Sequence, residues 1–272
     1  MTRKRTGFLI ASIAVFVAAG FFIPKALQSF RTEVKKRSEA LYEEWEQYEV
    51  ASKEALRARE FAGAEKHARD ALQYAERIYG PNRRITANSQ FLLGATFFVQ
   101  DRYAEAKPFF ERDISIVESL EGAESPDLSL ALNRLAQCCL RMDLYDEAIE
   151  HALRDLRIRE AQYGANSSEL LRPLETLSES YQKKNELEEA LRFQAHMTVI
   201  LLENADSDAI NLATSLIHQA RIEVQVRQYD ASIDHFERGL AILEKELPKS
   251  DTRVDGVREE LTNAVQAKAR GA

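Results

Sequence analysis

A pair of side chains recurs at a strict interval of 42 residues: Phe61/Ala64, Tyr103/Ala106, Tyr145/Ala148, Leu187/Ala190 and Tyr229/Ser232. Copies in register without slippage mean a stacked array of one supersecondary unit, because a single unit of this size cannot bury its own apolar face. Nine residues before each pair stands another small residue, namely Ser52, Gly94, Ala136, Ser178 and Ala220. Small residues at fixed points on two successive helices let the axes approach closely, and long apolar side chains then fill the grooves. Gly80, Gly122 and Gly164 stand nineteen residues after the first member of their pairs. A glycine there is expected to stop the second helix in the left-handed conformation.

The repeat is thus a helix-turn-helix unit. The pattern predicts helical pairs at 41–58 with 61–79, 82–100 with 103–120, 126–141 with 145–162, 167–183 with 187–204, and 208–226 with 229–246. Ser125-Pro126-Asp127 is a helix start, with a capping Ser, Pro in the first turn and an early acid. Beyond Ser250-Asp251, one last helix carries Val254, Val257, Leu261 and Ala264 on one face and Arg258, Glu259, Glu260 and Lys268 on the other. An array needs such a helix to cover its exposed end. The low content of Gly (10) and Pro (6) fits an ordered all-helical chain.

Leu93-Gly94 with Phe97, Ala106 and Phe110, Leu135-Ala136 with Ala148, and Leu177-Ser178 with Tyr181 and Ala190 resemble the tetratricopeptide repeat. The 42-residue length and the Gly80-Pro81 exit are more similar to the kinesin-light-chain type than to the shorter form of the repeat. The resemblance covers residues 41–270 and implies an all-α, right-handed α-solenoid of about five repeats (41–81, 82–124, 125–165, 166–206, 207–249) with a cap at 250–270. The first copy departs most, with Ala51, Ala55 and Ala68 at positions where larger residues are usual, and is expected to pack thinly.

Ahead of the array stand a basic tail at residues 1–6 and an uncharged apolar run at 7–23. As a helix this run reaches about 25 Å, near the short limit for a bilayer core. It is read as an uncleaved, single-pass transmembrane anchor. A cleaved signal peptide is the alternative, since Val17 and Ala19 make a small-x-small site before Gly20. Basic residues flank the run on both sides, Arg3, Lys4 and Arg5 before it and Lys25, Arg31, Lys35, Lys36 and Arg37 after it. A short tail before a span behaves like a signal sequence, so the repeats are expected outside the cytoplasm, in a bacterial inner-membrane setting. Residues 24–40 read as a juxtamembrane helix, with Leu27, Phe30 and Val34 on the stripe that continues to Leu41, Trp45 and Tyr48.

The chain carries a net charge of −7, and its body beyond residue 37 is more acidic still. That excludes nucleic acid as the expected partner. His67, His151 and His235 lie in phase, with Phe109 and Phe193 at the intervening equivalents. Equivalent positions two repeats apart lie too far from one another to share an ion, so the histidines read as a packing position and no metal or other cofactor is expected. Cys138 and Cys139 are neighbours in one helix and read as small apolar contacts rather than a disulfide. No phosphate loop, His-Glu-x-x-His or Gly-x-Ser-x-Gly occurs, and no nucleophile has a positioned base, so no catalytic residue is nominated and the chain is not read as an enzyme.

The resemblance implies a concave groove lined by the first helix of each pair. Carried over position by position, it nominates Asn88, Phe91, Phe98, Asn133, Arg134, Gln137, Arg141, Arg172, Lys183 and Arg221, with Leu140, Glu175 and Glu179 among their neighbours. Phe side chains there would offer apolar pockets, and Arg and Asn would hold an acidic group and the backbone of an extended peptide. The plainer reading makes them ordinary solvated positions. The expected function is a membrane-anchored module that binds segments of other proteins, as a scaffold or chaperone-like adaptor. The alternatives are a self-assembling structural membrane protein, with homo-oligomers made through the juxtamembrane helix, and an organelle-surface receptor.

Overall fold

The computed structural model describes residues 23–203, 209–248 and 250–271. Among these residues there are eleven α-helices and no strand. They are α1 (Ile23–Arg57), α2 (Phe61–Ile78), α3 (Arg84–Phe98), α4 (Tyr103–Glu121), α5 (Ser129–Arg141), α6 (Tyr145–Tyr163), α7 (Leu171–Lys183), α8 (Leu187–Glu203), α9 (Ala209–Gln225), α10 (Tyr229–Glu246) and α11 (Thr252–Gly271). All but residue 23 of the expected membrane span lies outside the described residues. No described helix is long and apolar enough to cross a membrane. The chain divides into two compact units, Met1–Ile78 and Tyr79–Ala272.

In the first unit the juxtamembrane helix and the first helix of the first repeat form one continuous element, α1, with no break at Arg37-Ser38. Its C-terminal part pairs with α2. Ser52 Oγ donates to the Ala64 carbonyl at 2.9 Å, joining the two small residues that the period places opposite each other. Ala64, Ala68, Ala71 and Ala75 keep one face of α2 narrow, and Trp45 and Tyr74 supply the large buried side chains of this hairpin. The Tyr74 hydroxyl donates to Glu44 at 2.8 Å.

The second unit stacks α3/α4, α5/α6, α7/α8 and α9/α10 as hairpins, each second helix also packing on the next first helix. The close approach expected at Gly94 is real: a Cβ there would stand 2.9 Å from Phe110 Cε1 and 3.2 Å from Phe109 Cβ. Helix α11 closes the end as expected, with Val254, Val257 and Ala264 buried against Ala213, Ile217, Phe236 and Leu243. Fully burying one such valine or leucine is worth about 1.5–3 kcal/mol, so this face is sufficient to dock the helix.

Two kinds of turn punctuate the repeat. Each first helix ends on a residue in the left-handed region, Arg59, Asp101, Asp143, Asn185 and Arg227, with φ between 59° and 62°. The following N–H reaches back five residues along the helix, as in Arg102 N to Phe97 O at 3.1 Å and Gln228 N to Glu223 O at 2.8 Å. This is a Schellman cap built without glycine. The glycines after the second helices do something else. Gly122 (φ 95°, ψ 166°) and Gly164 (φ 88°, ψ 162°) take a mirror-extended conformation rather than the left-handed helical one expected from sequence. Only glycine adopts that region freely. Ser125 and Ser167 then cap short 3-10 turns at Pro126–Leu128 and Ser168–Leu170 that lead into α5 and α7, so these helices start later than the sequence pattern predicts.

Candidate functional site

The first helices α3, α5 and α7 lie side by side. Their shared face holds a cavity of about 250 Å³. Phe98 and Tyr103 line it from the second repeat, Gln137, Leu140 and Arg141 from the third, and Glu175, Thr176 and Glu179 from the fourth. Its apolar side is anchored from below. Phe98 meets Tyr103 edge-on at 5.4 Å and Phe110 at 6.5 Å, and Phe91 packs on the buried Phe110 at 5.5 Å. Tyr103 is held in place by donating its hydroxyl to Asp101, the left-handed turn residue, at 2.5 Å.

Above this floor sits positive charge. The Arg134 guanidinium lies 4.9 Å from the Phe98 ring centroid and donates to Gln137 Oε1 at 3.0 Å. Partial burial, and then the neighbouring charge of Arg172, hold its pKa below the usual arginine value. Arg141 and Arg172 are exposed beside it. Among the described residues, no carboxylate lies within ion-pair distance of Arg134, Arg141 or Arg172. In the same unit Arg84, Arg154 and Arg159 are all paired, to Glu121, Glu118 and Asp155 respectively. Arg141 in the cavity wall and Arg134 over the Phe98 ring, with Arg172 acting on Arg134, can hold a carboxylate, and Glu175 and Glu179 in the cavity can take a donor.

The structure therefore brings Phe98, Arg134, Gln137, Arg141 and Arg172 together. Phe91 supports the floor from a half-buried position, Asn88 is exposed on α3, and Lys183 is exposed at the end of α7. Two nominated residues are placed elsewhere. Asn133 is only 2% exposed and stands, with Ser129, against the Asp155 carboxyl between α5 and α6. The repeat pattern puts it on the right helix, but its side chain turns inward to serve a buried acid. Arg221 is held by Glu260 of α11 through two bonds of 2.7 and 2.8 Å, so the capping helix neutralises it. Tyr103 was missed because it belongs to a second helix, although it is the in-phase aromatic that marks the repeat.

The in-phase histidines are also resolved. In the second to fifth repeats a residue of the first helix meets the residue twelve positions later on the second. Phe97 stacks on Phe109 at 5.6 Å, Tyr181 stacks on Phe193 at 5.6 Å, and Glu223 Oε2 hydrogen-bonds His235 Nδ1 at 2.8 Å. In the third repeat the corresponding pair is Cys139 and His151. Glu147 joins them, and one ligating atom of each of the three lies within 4.8 Å of the others. Lys107 Nζ stands 2.6 Å from Glu147 Oε2 and 3.4 Å from Glu111 Oε1. Burial, and next the charge of Glu147, push the Cys139 thiol up to about 12. Burial also lowers the His151 pKa, and the Lys107 hydrogen bond lowers that of Glu147.

A family model of the tetratricopeptide repeat matches residues 54–119 and 127–198. Solved structures of similar fold include a Podosopora anserina protein of nearly identical kinesin-light-chain TPR-like repeats, with 15% identity over 75% of this chain and 97% of that one, at a TM-score of 0.65. BtubC (BKLC) from P. vanneervenii is 16% identical over 86% of this chain and 87% of its own, at 0.64. The apo form of RapI is 15% identical over 81% and 84%, also at 0.64. Likeness at these identities concerns the fold. No curated protein matches the sequence.

Proposed function

The chain belongs to the tetratricopeptide repeat family, and on that premise we propose that it is an interaction module whose α3–α5–α7 face captures an extended segment of a partner protein. One observation carries this reading: among the described residues, Arg141 lining the cavity, Arg134 over the Phe98 ring and Arg172 close enough to act on Arg134 have no carboxylate within ion-pair distance. Such a face suits a peptide that places an apolar side chain on Phe98 and Leu140 and an acidic group among the arginines, with Gln137 available to its backbone. Substituting Arg134, Arg141 and Arg172 together by Glu abolishes capture of acidic peptides by the full chain. Unchanged capture at physiological salt overturns the reading.

The uncharged run 7–23 supports a membrane tether with the repeats outside the cytoplasm, so that the module works as an envelope scaffold or chaperone-like adaptor. A reporter fused after Ala272, active only outside the cytoplasm, tests this placement together with membrane fractionation. An inactive reporter turns the array inward.

A second reading, self-assembly, is favoured by α1. Phe30 and Val34 lie on its apolar stripe, and both are exposed. Sedimentation of the full chain with F30E and V34E separates the two readings. An oligomer lost in this variant supports self-assembly, and a wild-type monomer removes it.

A further inference from the structure

The cluster in the third repeat has the chemistry of a metal centre. Glu147 and His151 are one turn apart on α6 and so share a face. Cys139 reaches them from α5, and the three ligating atoms already lie within 4.8 Å of one another. Tetrahedral zinc, with bonds of about 2.0–2.3 Å, places its ligands about 3.3–3.8 Å apart, so the trio has to contract by roughly 1 Å. Rotation of the half-exposed Glu147 and His151 supplies that movement. The equivalent pairs in the other repeats of this unit are already committed to ring stacking or to a hydrogen bond. Only here among the described residues does the pair combine sulfur, imidazole and a third donor.

We propose that Cys139, Glu147 and His151 form a site for one divalent transition-metal ion, of the zinc type, between α5 and α6. Thiolate and imidazole are the donors that zinc takes, and the set leaves a fourth position for water. As the Sγ–metal bond forms, the thiol proton leaves to solvent. Glu147 enters as a carboxylate, and His151 enters neutral through one ring nitrogen. The thiolate and carboxylate cancel the charge of the ion, so the loaded site carries no net charge into a partly buried place. Lys107 gives up Glu147 and keeps Glu111, which is already within 3.4 Å. Because a proton must leave, binding weakens as pH falls.

The probe is Co²⁺, titrated into the full chain and followed by absorption. One equivalent is expected to give a thiolate-to-metal charge-transfer band with the intense visible bands of a tetrahedral ion, and Zn²⁺ then displaces both. C139S and H151A each abolish the bands, and E147Q weakens Zn²⁺ binding by about tenfold or more, whereas C138S retains the full spectrum. Circular dichroism confirms that the variants keep their helices. Absence of the charge-transfer band in the wild type, its survival in C139S, or its loss in C138S overturns the proposal.

Discussion

Arg134 holds its guanidinium 4.9 Å from the centre of the Phe98 ring, across the interface between two successive first helices. The contact joins the apolar and basic halves of the candidate peptide face, and Phe98 positions the charge. F98A therefore weakens peptide binding even though the charges remain, and it lowers stability by about 1–2 kcal/mol through lost ring contacts and the cation–π term. Titration with an acidic peptide and urea denaturation read the two effects. If F98A binds as tightly as the wild type, the floor plays no part in recognition.

Asp113 sits on the buried face of α4, and burial raises its pKa from 3.8 to about 7, against an opposing pull from Arg84. Between about pH 4 and pH 7 the folded chain keeps a proton that the unfolded chain has released. Stability from this group is therefore full below about pH 4, falls as pH rises to about 7, and is level beyond. D113N removes that slope and stabilises the protein above pH 7 by roughly 2–4 kcal/mol. Urea melts of the wild type and D113N across pH 4–8 isolate the term. Parallel curves would show that the carboxyl ionises normally.

Gly94 is a packing device. A valine side chain there drives Cβ into Phe110 Cε1, at 2.9 Å, and towards Phe109. G94V is expected to destabilise the second repeat by about 1–3 kcal/mol through overpacking. G94A does less harm, because its gain in helix propensity of about 1 kcal/mol offsets part of the clash. Thermal melts of the pair give this order or refute it.

Two glycine exchanges should act with opposite signs. Arg227 occupies the left-handed cap of α9, and R227G is expected to stabilise by about 0.5–1 kcal/mol after the flexibility of glycine in the unfolded chain is deducted. Gly164 has nothing within 4 Å of the place its Cβ would take, so G164A tests backbone strain alone. It should destabilise by about 1–3 kcal/mol.

The period made the helices legible. The starts at Phe61, Tyr103, Tyr145, Leu187 and Tyr229 coincide with the in-phase residues, because the small/large alternation is what seats each second helix on the first. The membrane-facing part of the reading rests on residues outside the described ones. Within the candidate site, Phe98, Gln137 and Arg141 were legible because a repeat fixes which helix face looks outward. Asn133 and Arg221 were not, since their directions depend on partners far along the chain, a buried Asp155 and the Glu260 of the cap. The first-helix caps escaped notice because their conformation repeats while their residue types, Arg, Asp and Asn, do not. The Cys139 cluster was not legible because the 42-residue period relates the histidines to one another, whereas His151 and His235 each meet the residue twelve positions earlier.

That twelve-residue correspondence solves a problem peculiar to arrays of look-alike hairpins, in which the first helix of one copy can wrongly dock the second helix of another. Phe97 and Tyr181 meet aromatic rings, whereas Cys139 meets a histidine and a carboxylate and Glu223 meets a histidine, so the third and fifth hairpins differ in chemistry from the second and fourth. Glu223 set against Phe109 or Phe193 would be buried on an aromatic ring without its hydrogen bond, at a cost of several kcal/mol. The column works like notches on a key. The backbone makes the copies interchangeable, and these contacts keep the first helices of the third and fifth hairpins from docking on the aromatic second helices of the others.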